Sequence, residues 1–331
     1  MPLPKHYLCY RAAHAFTLDG KLNKPIWQPA PWTDDFEDIE GPAKPRPRFR
    51  TRVKMLWDDT NLYIGAEMQE PHVWATLTEH DSVIFHDNDF EVFLDPDGDN
   101  HDYYEIEINA LNTTWDLRLV KPYRDGGPAL NEWEIPGFRS AVHVDGTLND
   151  ARDIDKEWSL EMALPWKALG EYDRRPAPPR DGDQWRINFS RVEWDIDIVD
   201  GKIRKVPDRP EYNWVWSPQG VIDMHRPEKW GYVQFSTAPP GTAKYVPDPA
   251  IPSRDLLMQI YYAQRAFRDK HKRWAAAWPE LGLSLPPSLH LPTVPTIRLT
   301  SQGYTASCLL RLPNGKVQTW HVRDDSKLWA E

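Results

Sequence analysis

The chain has 331 residues, of which 40% are apolar and 27% charged, enough to build a buried core and at odds with wholesale disorder. A net charge of −10 argues against nucleic acid as the main partner. No apolar run approaches the roughly 18 residues that a membrane helix needs.

Other features of the composition narrow the reading. Cys9 and Cys308 are the only cysteines, so this is not a disulfide scaffold; one bridge between the two ends is an option, and two free thiols is the expectation adopted. The 17 Trp exceed what a core of this size uses. Surplus indole suits a sugar-binding protein, because pyranose C–H faces stack on flat, rigid rings.

The opening residues Met1 to His14 carry neither a charged n-region nor an apolar h-region. No signal peptide is visible, and the compartment stays open between cytoplasm and a site reached after removal of a leader. From Ala15 to about Phe235, short alternating segments stand between turn clusters. Predicted strands are Arg52–Trp57, Asn61–Met68, Asp89–Asp95, Tyr103–Asn109 and Thr114–Val120, then Phe138–Val144, Trp158–Leu164, Gln184–Trp194 and Gly231–Phe235. Asp-Gly pairs at 19–20, 97–98, 145–146, 181–182 and 200–201 punctuate them. Period-two strands without long helices between them predict a mostly β protein, an antiparallel two-sheet sandwich, over residues 1–240.

Residues 241–331 read differently. A Pro-rich linker precedes a predicted helix over 253–278, capped by Ser253, with Tyr261, Phe267 and Trp274 expected to pack on the sandwich. The helix is basic beside an acidic domain, so docking on that domain is the simplest expectation. A small β meander follows, with Asn314-Gly315 predicted as a type I′ hairpin turn.

Three of the strands put unusual polar residues on one face. Asp89, Glu91 and Asp95 alternate with Phe90, Val92 and Leu94; Glu105, Glu107 and Asn109 alternate with isoleucines; Arg186 and Asn188 alternate with Trp185, Ile187 and Phe189. A solvated outer face is the ordinary reading. Solvated faces are usually richer in Lys, Thr and Ser, whereas carboxylates, amides and guanidinium near Trp are the groups that grip vicinal hydroxyls.

The sequence here resembles a known family. Leu18 to Trp27 is similar to the DGxLxxPxW opening of family 9 carbohydrate-binding modules and their DOMON-like relatives. Val53 to Ile64, Asn88 to Asp95, Ala163 to Trp166 and Trp230 to Val233 match further motifs in order and spacing, over about residues 15–236. The resemblance implies a two-sheet β-sandwich that binds oligo- or polysaccharide, with a terminal sugar slotted between two Trp above a polar sheet face. It points to Asn213, Trp214 and Trp216 for one wall, and to Glu91 and Asn109 for hydroxyl contacts. The chain departs from the pattern in two places. Glu107 stands where a typical member has Arg, and Phe85, next to His86, stands where the second Trp would be. Trp74, Trp115 and Trp194 are alternative walls.

The resemblance also implies structural Ca²⁺, for which Asp95, Asp97 and Asp99 supply hard oxygens around a Gly. No organic cofactor is expected. Binding without catalysis is the main reading. A glycosidase-like pair of Glu91 with Glu107, or a lyase base drawn from His86, His101 and Tyr103, keeps an enzyme open as the alternative. Axial haem ligation by Met68, His86 or Met224 has no paired motif behind it.

Overall fold

The structure is a computed structural model in which residues 3–170, 177–285 and 291–331 are described. It divides into two compact units. The first comprises Met1–Asp97, Asp102–Val120 and Gly127–Tyr245; the second comprises Gly98–His101, Lys121–Gly126 and Val246–Glu331.

The first unit begins with β1 (His6–Arg11), β2 (Glu37–Asp38), β3 (Thr51–Trp57), β4 (Asn61–Gln69) and β5 (Asp89–Asp95). It continues with β6 (Tyr103–Asn109), β7 (Thr114–Leu119), β8 (Ala129–Leu130), β9 (Arg139–Asp145) and β10 (Glu157–Pro165), which runs into the short helix α1 (Trp166–Leu169). Then come β11 (Gln184–Glu193), the hairpin β12 (Ile196–Val199) and β13 (Lys202–Lys205), β14 (Tyr212–Val215) and β15 (Gly231–Ser236).

All but the hairpin belong to one 13-stranded sheet, ordered β8-β7-β6-β5-β11-β15-β1-β3-β4-β10-β9, with β14 pairing β11 and β2. This corrects the expected pair of separate antiparallel sheets. Strand β1 runs parallel to both of its neighbours: His6 pairs Tyr232 on one side, and Tyr10 pairs Leu56 on the other. It therefore joins two antiparallel halves into a single curled, mixed sheet.

Both halves turn one face into a common core. Phe90, Val92 and Leu94 pair across to Ile108, Ile106 and Tyr104, and all six are buried with Val53, Met55, Ile64 and Leu160 from the other half. Each such side chain contributes about 1.5–3 kcal/mol by leaving water. The alternation read from the sequence thus sets the inward face.

The family-like opening motif is held by one carboxylate. Glu161, on β10 and fully buried, accepts from the Trp27 indole at 2.7 Å, from the Asp19 and Gly20 amides at 2.7 and 3.0 Å, and from Lys24 at 2.6 Å. Gly20 has φ +80 and backs onto the His143 backbone, so a side chain there is excluded twice over. The motif in this chain is a structural clasp.

The second unit contains α2 (Ile251–His271) and a sheet of β16 (Thr296–Leu299), β17 (Tyr304–Arg311), β18 (Val317–Arg323) and β19 (Leu328–Ala330), all antiparallel. The helix begins two residues before the predicted start and stops at Lys272, whose left-handed φ of 56 ends it short of Trp274. Leu257, Ile260 and Tyr261 pack with Tyr304, Ala306, Cys308 and Val322. Trp274, beyond the helix, lies edge-on to Tyr304 at 5.0 Å, and Phe267 lies against His271 at 4.3 Å. The aromatics expected to dock on the sandwich thus have partners inside their own unit. The Asn314-Gly315 turn also differs from expectation. Only Gly315 has positive φ, and Leu312 and Lys316 close a three-residue loop, the glycine-bulge type.

Cys9 and Cys308 are both buried free thiols.

Candidate functional site

The polar face foreseen on β5, β6 and β11 is formed, and it is buried. Glu91 stands opposite Glu107 on one side and Ser190 on the other; Asp89 stands opposite Asn109, and Glu105 opposite Phe93. Exposure is 0% for Asp89, 5% for Glu91, 6% for Glu105 and 2% for Glu107. A second apolar cluster of Phe93, Tyr103, Leu117, Leu119 and Trp230 is also buried here.

A cover lies over the carboxyls. In the turn Ile84–His86, the Phe85 amide donates to Glu107 Oε2 at 2.9 Å. The Trp194 indole donates to the Phe85 carbonyl at 2.9 Å, and Lys205 donates to the His86 carbonyl at 2.7 Å while sitting 3.7 Å above the Trp194 ring. Phe85 and Trp194 are half-buried and His86 is exposed. Trp115 is the cross-strand neighbour of Glu107; it too is half-buried, and its Nε1 has no hydrogen-bond partner.

Burial drives the electrostatics. Loss of water pushes Glu91 up to about 7. The same loss, reinforced by neighbouring carboxyls, holds Asp89, Glu105 and Glu107 well above the ordinary carboxylate range. No ion pair forms to any of the four among the described residues. The unpartnered oxygens include Asp89 Oδ2 and Glu91 Oε2.

Other residues singled out in the sequence have different surroundings. Asn109 donates to the Leu77 carbonyl at 2.8 Å and to Asp87 at 3.1 Å, and accepts from the Leu111 and Thr113 amides, so it braces a loop. Asn188 exchanges two hydrogen bonds with the Ser217 backbone. Arg186 donates to the Trp230 and Glu228 carbonyls and stacks 4.1 Å over Tyr232. Asn213 is half-buried on β14. Trp214 and Trp216 face the core: Trp214 lies beside Phe49 and the Arg191 guanidinium, and Trp216 beside Phe189. Neither indole is open to a ligand in this arrangement, because both are buried in the core with the apolar set. Trp74 is also buried, as is Met68.

In the loop read as a calcium site, Asp95 is fully buried in the first unit. Within the second unit, Asp99 receives the His101 amide at 2.8 Å and the Lys327 ammonium at 3.0 Å. A lysine already neutralising one of three proposed oxygen donors competes with any metal there.

Sequence reasoning missed a second buried charge cluster. Arg191, 0% exposed, donates to Glu70 at 2.6 Å and Glu193 at 2.7 Å, and Asn88 donates to both carboxylates. Glu70 is pushed up to about 8, first by burial and then by the Glu193 charge. An Arg inside the strand Gln184–Trp194 was the available signal.

The fold class these strands define is mostly β: one large, curled, mixed sheet with a core on one face and gathered polar groups on the other. Residues 18–233 match the family model described as carbohydrate family 9 binding domain-like, and the chain belongs to that family. No curated protein sequence matches the chain. Among solved structures, one similar fold is a "putative carbohydrate-binding protein" from Bacteroides uniformis ATCC 8492, at 16% identity and TM-score 0.52, covering 70% of this chain and 100% of that one. Another is a family 9 carbohydrate-binding module from Caldicellulosiruptor kristjanssonii in complex with cellotriose, at 14% identity and TM-score 0.46, covering 74% of this chain and 100% of that one.

Proposed function

We propose that the chain binds carbohydrate without transforming it, at the polar face of β5, β6 and β11. The observation that carries this reading is the pairing of Trp115 with Glu107: a half-buried indole directly beside a buried carboxyl. Such a pair offers a flat apolar surface to a sugar ring and polar atoms to its hydroxyls. Phe85 and Trp194 supply further ring surface, and Glu91 and Glu105 further acceptors. Asn109, Asn188 and Arg186 hold the frame, and the walls in this reading are not Trp214 and Trp216. A structural Ca²⁺ on Asp95, Asp97 and Asp99 belongs to the same proposal, with Lys327 as its rival for Asp99.

A glycan panel followed by titration calorimetry tests the reading. Binding that falls by at least about 1 kcal/mol in Trp115→Ala, with an unchanged melting curve, is the expected result. New reducing or unsaturated ends after prolonged incubation would instead establish catalysis.

A further inference from the structure

We propose that Asp89, Glu91 and Glu107 together hold one divalent cation of the Ca²⁺ type at the base of the polar face. One carboxylate oxygen from each of the three lies within 4.8 Å of the others. That span is about twice the 2.3–2.6 Å separation of Ca²⁺ from its oxygen ligands, so a single ion can touch all three.

An independent observation comes from the neighbouring strand. Ser190 is fully buried, stands opposite Glu91 in the register of β11 with β5, and its Oγ has no hydrogen-bond partner. A neutral oxygen without a partner in a dry interior is costly unless something occupies the space it faces. Asp89 Oδ2 and Glu91 Oε2 are orphaned in the same place.

Charge balance points the same way. Asp89, Glu91, Glu105 and Glu107 are buried together with no arginine, lysine or histidine paired to them among the described residues. Elsewhere in this chain buried carboxylates do have a cation: Glu161 has Lys24, and Glu70 and Glu193 have Arg191. A buried anion without a partner either takes a proton or binds an ion. The Phe85 amide holds Glu107 Oε2 and leaves its other oxygen for the ion. Ser190 and water complete the oxygen shell, and a sugar hydroxyl replaces a water when the ligand binds. Only that last step rests on the proposed function; cation binding itself does not.

The test uses the whole chain, stripped with EDTA, and CaCl₂ as titrant in calorimetry. Binding that weakens by about tenfold or more in Glu91→Gln and in Glu107→Gln is expected. Both substitutions keep side-chain shape, and melting curves establish that the variants fold. A second readout does not depend on variant affinity. Tb³⁺ occupies Ca²⁺ sites and is excited by a nearby indole, so its sensitised emission should rise on binding and dim in Trp115→Phe. Absence of Ca²⁺ binding at millimolar concentration overturns the proposal. So does binding abolished by Asp99→Asn but untouched by Glu107→Gln, which would put the ion in the Asp95–Asp99 loop. Sugar binding without Ca²⁺ binding would leave the functional reading standing and remove the cation. Ca²⁺ binding with no sugar on the panel would do the reverse.

Discussion

Trp216 rests directly on Gly231: a Cβ added at that glycine would collide with the indole's six-membered ring. The contact fixes the start of β15 against the residue that follows β14, and it makes the glycine a packing requirement. Trp216 is 1% exposed. Trp216→Ala should therefore cost about 3–5 kcal/mol of stability by opening a large cavity, with sugar affinity retained in whatever fraction stays folded. Denaturant titration beside calorimetry decides it, and a stable variant with lost affinity would return Trp216 to the binding site.

Glu161 gathers four donors from the opening motif. Glu161→Gln keeps the shape but strips the charge facing Lys24 and turns an N–H₂ toward donors, so a loss of about 3 kcal/mol or more is expected. Chemical denaturation measures it. A change within a few tenths of a kcal/mol would show that the clasp is ornamental.

The pH dependence of stability should carry the mark of Glu70. Its folded pKa of about 8 lies above the usual carboxyl value, so the native state holds this proton more tightly than the unfolded chain. Its contribution is complete below about pH 4.5 and is lost as pH rises through about 8. Wild-type stability should fall across that window, and Glu70→Gln should flatten the fall. An unchanged slope in the variant would assign the titration to another group.

Within the second unit, Asp125 collects Tyr261 at 2.6 Å, Arg265 at 2.7 Å and Ser326 at 2.7 Å, with its own side chain 1% exposed. Asp125→Ala removes a charge-assisted acceptor from three donors and should cost about 1.5–3 kcal/mol. Hydrogen exchange at α2 offers the readout, since faster exchange in the amides around Tyr261 is the expected signature.

How much of this was legible in the sequence depends on how local each feature is. Strands β5 and β6 appear at the residues predicted because Phe90, Val92 and Leu94, and Ile106 and Ile108, alternate strictly with polar neighbours. The polar face followed from the same periodicity, but its burial did not, since the cover comes from Phe85 and Trp194, and Trp194 is over 100 residues away from the turn it locks. Strand β1 was missed because its two partners are parallel and far off in sequence, so no turn announces them. Trp216 looks the same in a sequence whether it walls a slot or fills a core. The deciding fact is the absent side chain at Gly231, visible only once the strands are placed. Glu161 went unremarked because a carboxylate on a strand gives no sign that an earlier loop will close around it.

The parallel seam at β1 has a consequence for how the molecule comes into being. His6–Arg11 pairs chiefly with Gly231–Ser236, so once made this strand must wait for more than 200 further residues before its main partner exists. Until then the nascent chain carries an unsatisfied strand, a template for pairing with another polypeptide. The family match begins at residue 18, after this strand. A fragment trimmed to that boundary would lack the seam and leave β15 and β3 with bare edges, and should be recovered chiefly as aggregate.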